Sequence, residues 1–219
     1  MRNKRQYVVF DMDGVLFDSE QLIQRYWVRV GEAHGLAGIG ETFLQCVGTT
    51  RVHSRKVFEE RYPDFSYEQF QDECRALFFG TIDRSGMPLK PGAEDILAHL
   101  RERGAAIGLA SSTRMELVRW ELESVGLLDY FDVLITGDLL ERSKPAPDIY
   151  LMACQALGTP PGEAWAIEDS YNGIRSAAAA GMRAIMVPDL LPPTGEMKRL
   201  CEVILPDLAA VTRYLDEHS

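Results

Sequence analysis

Short apolar runs alternate along the chain with longer stretches whose apolar positions recur every three to four residues. The short runs are Tyr7-Val8-Val9-Phe10, "AAIGLA" from Ala105, "DVLI" from Asp132, "AWAI" from Ala164 and "RAIMV" from Arg183. A weaker sixth, "CEVIL", begins at Cys201. Near-continuous hydrophobicity over so few residues predicts strands covered on both faces. Between them, helical spacing runs from Ala93 to Gly104 and from Arg114 to Gly126, each closing on a glycine suited to a C-terminal cap. A third helix is predicted from Asn172, a good N-cap residue, to Gly181. Strands alternating with helices imply right-handed crossovers and a parallel sheet. The fold class expected is therefore α/β: a doubly wound, Rossmann-like core that binds ligands at the carboxyl ends of its strands.

One interval breaks the alternation. From Leu16 to Leu89 the chain offers helical patterns, such as "SEQLIQRYWVRVGEAHG" and "SYEQFQDECRALFFGTI", and no convincing strand. Roughly seventy residues are too many for a simple crossover. They are read as an inserted helical cap domain at 16–89, with the core formed by 1–15 and 90–219. "MPLKPG" at Met87 to Gly92 is the expected return linker, because its two prolines resist helix.

Composition narrows the partners. The 219 residues are 46% hydrophobic and carry a formal net charge of -10, which argues against nucleic acid or anionic membrane. Cys46, Cys74, Cys154 and Cys201 are widely spaced, without paired metal-ligand spacing, and are read as reduced thiols. Neither a signal peptide nor a long apolar span is read, so a cytoplasmic location is expected.

The candidate chemistry lies where the predicted strands end. The first ends in Asp11-Met12-Asp13-Gly14, two like charges that need solvent, a cation or an open loop to offset their repulsion. The second ends in Ala110-Ser111-Ser112-Thr113-Arg114, the third leads to "SKPAPD" with Lys144, and the fourth ends in Glu168-Asp169-Ser170. If all meet on one rim, they suit phosphoryl transfer. Hard carboxylate oxygens are what Mg²⁺ prefers. The metal and Lys144 can neutralise the transferring group, and Ser111 can donate to a phosphoryl oxygen. One aspartate can act as nucleophile, and the other can move the proton.

"DMDGVLFDSE", "ASST", "SKPAPD" and "EDSYNGI" together resemble the four motifs of the haloacid dehalogenase superfamily, in the branch of sugar-phosphate phosphatases and β-phosphoglucomutases with a helical cap. The resemblance spans essentially the whole chain. It implies Asp11 as nucleophile, Asp13 as general acid and base, and Ser111 and Lys144 as the holders of the transferring group. It implies Mg²⁺ on Asp11, Asp169 and the main-chain carbonyl of Asp13, with Glu168 a ligand in some members and an outer group in others. The dehalogenases and phosphonate hydrolases of the superfamily lack an aspartate at the place of Asp13.

On the substrate side, the resemblance puts Arg51 in the cap loop "VGTTR" where mutases bind a phosphate. It puts Thr113 and Arg114, next to Ser112, where the core grips a distal phosphate. Alternatives stay open: Arg51, Arg55 and Lys56 could form a solvated helix face, Ser112 and Thr113 could cap the helix at Arg114, and Glu168-Asp169 could cap the helix that Asn172 caps better. Two positions depart from the mutase pattern: Ile23 stands where a histidine is expected and Leu77 where a substrate-binding lysine is. His53, two residues after Arg51, is read mainly as a residue without a role, with a substrate contact as the minor alternative, and Trp27, Trp120 and Trp165 are read as packing residues. The function expected is a monomeric Mg²⁺-dependent phosphatase acting on a small phosphoester through an aspartyl-phosphate. A β-phosphoglucomutase-type mutase is the alternative, and a non-enzymatic Mg²⁺/phosphate-binding regulator is the third reading.

Overall fold

The computed structural model describes residues 5–47, 49, 51–85 and 87–218, with backbone only at 51 and 81–85. The chain divides into two compact units, Met1–Phe17 with Leu89–Ser219, and Asp18–Pro88.

The first unit is built on six parallel strands: β1 (Tyr7–Phe10), β2 (Ala106–Ser111), β3 (Val133–Thr136), β4 (Ala164–Glu168), β5 (Arg183–Met186) and β6 (Val203–Ile204). Their order is β3-β2-β1-β4-β5-β6, with Val8 opposite Ile107 on one side and Trp165 on the other. The chain fills one half of the sheet through β3 and then returns to β4, so the strand order reverses beside β1. That reversal is where open α/β sheets leave a crevice for ligands. The six expected strands are all present, although the "CEVIL" run contributes only two residues.

Burial on both faces explains the unbroken apolar runs. Val9, Ala110, Ile135, Ala166 and Ala184 belong to one core cluster with Ile149, Tyr150 and Ala153 of α7 (Asp148–Leu157) and Ile174 and Ala177 of α8 (Tyr171–Ala179). Alanines on β4, β5 and α8 let helix and sheet approach closely. α5 (Ala93–Glu102) buries Ile96, Leu97 and Leu100 and packs on β2 and on α10 (Leu208–Glu217). α6 (Met115–Ser124) and the short α9 (Met197–Leu200) complete this unit.

One helix start differs from expectation. α8 is capped by Ser170, whose Oγ accepts the Gly173 N–H at 3.0 Å, while Asn172 sits inside the first turn and accepts from Arg175. A cap needs extended backbone before the first helical turn, and Ser170 has it (φ -99, ψ 151).

The second unit holds α1 (Ser19–Ala33), α2 (Ile39–Cys46), α3 (Arg51–Arg61) and α4 (Tyr67–Ser85). Its core is aromatic: Trp27 meets Phe43, Phe58 and Phe70 edge-on at centroid distances of 5.3, 6.2 and 5.0 Å. The division falls at Phe17 and Leu89 because these residues bridge each other, and the Lys90 N–H donates to the Leu16 carbonyl at 2.8 Å. No helix among the described residues is long and apolar enough to cross a membrane.

Candidate active site

In a parallel sheet the carboxyl ends of all strands share one edge, so Asp11, Ser111 and Glu168 emerge together at the crevice beside β1. Lys144 reaches them from the loop after β3. Its Nζ donates to Asp11 Oδ1 at 2.5 Å, to Glu168 Oε1 at 2.6 Å and to the Ala110 carbonyl at 3.0 Å. Three donors meet three acceptors, so the ammonium is fully engaged. Its side chain is only 8% exposed, and those of Asp11 and Glu168 are 11% and 0% exposed.

Burial of this kind sets the electrostatics. Desolvation disfavours the Lys144 charge, but Asp11 and Glu168 outweigh it and hold the ammonium protonated well above the usual lysine range. Burial pushes the Asp11 carboxyl well above its ordinary value. Lys144 opposes that rise, and the charges of Glu168 and Asp13 add to it. One lysine does not balance these acids, which leaves the cluster short of positive charge. Asp11, Glu168 and Asp169 each present an oxygen, all within 4.8 Å of one another. Gly14, at φ 77, lets Asp169 close on this loop, since a Cβ there would collide with the Asp169 carboxylate. Buried hard oxygens with a charge deficit fit a small divalent cation such as Mg²⁺.

Asp13 stands beside this cluster. Thr113 donates its hydroxyl to Asp13 Oδ2 at 3.2 Å, and the Thr113 N–H donates to Ser111 Oγ at 3.1 Å. This overturns capping by Thr113: the cap position of α6 is Arg114, without a side-chain bond, and Asp138 Oδ1 takes the Met115 N–H instead. Ser111 is buried, whereas Ser112 and Arg114 are exposed. Arg51 is the first residue of α3, and its side chain lies outside the described residues, as do Gly48 and Thr50 of the same loop.

Two functional-looking residues escaped the sequence. Glu168 accepts a second bond at Oε1, from the Tyr150 hydroxyl at 2.9 Å. Its Oε2 accepts the N–H groups of Asp169 and Ser170 at 3.1 Å each and the Ser170 hydroxyl at 3.0 Å. A buried tyrosine needs a partner for its hydroxyl, and that was the available signal. Glu121, on α6, is 3% exposed, and its Oε2 has no hydrogen-bond partner among the described residues. Burial, reinforced by Asp13, pushes its carboxyl up to about 8. Its helical phase with Val118 and Leu122 already placed it on the buried stripe.

Fold, strand-end chemistry and motif order together define a hydrolase of the Rossmann-like class. The chain belongs to the haloacid dehalogenase-like hydrolases, whose family model matches residues 6–181. Among similar proteins, hexitol phosphatase B of Escherichia coli (strain K12) is 32% identical over 183 residues, covering 82% of each chain. The phosphorylated carbohydrates phosphatase of Thermotoga maritima is 29% identical over 183 residues, covering 81% of this chain and 82% of that one. A crystal structure of a HAD family hydrolase from Deinococcus radiodurans R1, with bound phosphate and sodium, superposes with a TM-score of 0.82 at 27% identity. It covers 97% of this chain and 96% of the other.

Proposed function

We propose that this phosphoric monoester hydrolase releases inorganic phosphate from a small sugar or polyol phosphate through a phosphate ester on Asp11. The observation that carries the reading is Lys144 bonded to both Asp11 and Glu168 at the strand ends. Asp11 is the nucleophile: its carboxylate oxygen bonds to phosphorus as the ester P–O bond breaks. Asp13, oriented by Thr113, gives its proton to the departing alkoxide. A water then attacks the same phosphorus and returns a proton to Asp13, and the bond to Asp11 breaks. Splitting one difficult displacement into two easier ones is what a covalent carboxylate offers.

Ser111 and Lys144 are assigned to the transferring oxygens, Lys144 by trading one of its three contacts for a phosphoryl oxygen. Asp11, Asp169 and the main-chain carbonyl of Asp13 would hold Mg²⁺, which would supply positive charge to the transferring group. Glu168, with five donors on its two oxygens, is the brace for Lys144. The preference for sugar or polyol phosphates is supported by the names of the relatives. Ile23 and Leu77, in place of the mutase histidine and lysine, favour hydrolysis over internal transfer.

A phosphate-release panel of hexitol phosphates, hexose phosphates and nucleotides, run with Mg²⁺ and with EDTA, tests the proposal. Mg²⁺-dependent release, fastest on a polyol or hexose phosphate, is expected. From β-glucose 1-phosphate with a trace of bisphosphate, glucose 6-phosphate forming faster than free phosphate would overturn it in favour of the mutase. Binding without turnover across the panel would favour the regulator.

A further inference from the structure

We propose that Tyr150 is a positioning residue for phosphoryl transfer: its hydroxyl pins the Glu168 carboxylate, and the carboxylate in turn holds Lys144 against Asp11. The proposal rests on the phosphatase reading above and extends it to a buried residue of α7 that is bonded to Glu168.

The geometry is specific. Tyr150 lies in the first turn of α7, and its side chain is completely buried in the core cluster with Ile149 and Ala153. For packing alone, phenylalanine would fill this volume without the cost of burying a hydroxyl. The hydroxyl is bonded to Glu168 Oε1, the same oxygen that receives Lys144. The Lys144 Nζ also stands 5.2 Å from the Tyr150 ring centroid, so ring and hydroxyl act on the two ends of one ion pair.

Glu168 Oε2 is fixed by three donors from the start of α8, which leaves Oε1 as the end that can swing. With the phenol present, Oε1 has two donors and one preferred position. Without it, Lys144 is the one donor left on Oε1 among the described residues, and the three donors on Oε2 must orient the carboxylate by themselves. A charged hydrogen-bonding network of this kind loses direction when one donor is removed. Gly173 completes the pocket, since a Cβ there would overlap the Glu168 carboxylate.

The test compares Tyr150→Phe, Glu168→Gln and the double variant on the best substrate of the panel, with unfolding midpoints measured alongside. Tyr150→Phe keeps the ring and removes only the hydroxyl. It should lower kcat about tenfold, the scale of one hydrogen bond to a charged group, and leave KM within about twofold. If Tyr150 acts through Glu168, the double variant is no slower than Glu168→Gln alone. Losses that multiply in the double variant overturn the proposal. An unchanged kcat in Tyr150→Phe, with the unfolding midpoint moved or not, overturns it too. A wild-type chain inactive on the whole panel would overturn the phosphatase reading and this inference with it. An active wild type matched by Tyr150→Phe would overturn this inference alone.

Discussion

The two compact units bury different things. The sheet unit encloses charge: Lys144, Asp11 and Glu168 are sequestered together at the strand ends, with side chains between 0% and 11% exposed. The helical unit encloses aromatic rings around Trp27, and its ion pairs stay outside, as with Arg55 and Glu68 at 45% and 49% exposure. Exposed pairs are screened and contribute little. A buried cluster is a different object, because its desolvation is offset only while every partner is present. The contrast teaches where chemistry can reside. Charge that a fold spends stability to bury is charge kept for use, whereas packed rings support a shape.

Four variants test this contrast, beginning with the largest effect. Asp11→Asn removes the nucleophile and should cut phosphate release by at least about a thousandfold, read in the same panel under Mg²⁺. Activity retained in that variant would mean that the buried charge is structural. Lys144→Met leaves Asp11 and Glu168 facing each other in the core and should cost about 3–5 kcal/mol in urea unfolding without metal. A loss below the range of a surface pair would show that the cluster is wetter than its burial implies.

Trp27→Ala probes the other unit by emptying the centre of its aromatic core, at a cost of about 3–5 kcal/mol through packing alone. This loss should be nearly independent of pH and salt, unlike that of Lys144→Met. A marked salt dependence would blur the distinction between the units. The smallest effect concerns Glu121. Its carboxyl is raised to about 8 in the folded chain and returns to the ordinary glutamate value on unfolding. The stability it contributes is complete below the unfolded value and is lost as pH rises through about 8. Glu121→Gln escapes that loss: near pH 4 its stability should match the wild type, and already near pH 6 it should exceed it by about 2 kcal/mol. Parallel stability–pH curves for the two proteins would contradict the assignment.

Much of the fold was legible because its signals are local. Unbroken apolar runs marked the strands of a doubly covered sheet, and glycines marked the ends of the helices after Ala93 and Arg114. The interval without strands stood out for the same reason. The start of α8 was misread because asparagine and serine are both good caps, and only the backbone turn at Ser170 separates them. Thr113 shows the limit in the site. Its neighbours along the chain allow capping or a substrate contact, and only the fold brings it to Asp13, a hundred positions away.

Taken alone, the sequence determined the α/β class and the order in which acids, hydroxyls and a lysine leave the strands, because periodicity and motif order are properties of neighbouring residues. It also carried enough of the family pattern to name the superfamily. Tertiary structure alone decided that Tyr150 bonds Glu168, that Glu121 is buried with no partner for one oxygen among the described residues, and that Lys144 bridges two carboxylates. Each depends on atoms brought together across folded chain, where burial and distance, rather than residue type, fix the strength of a charge.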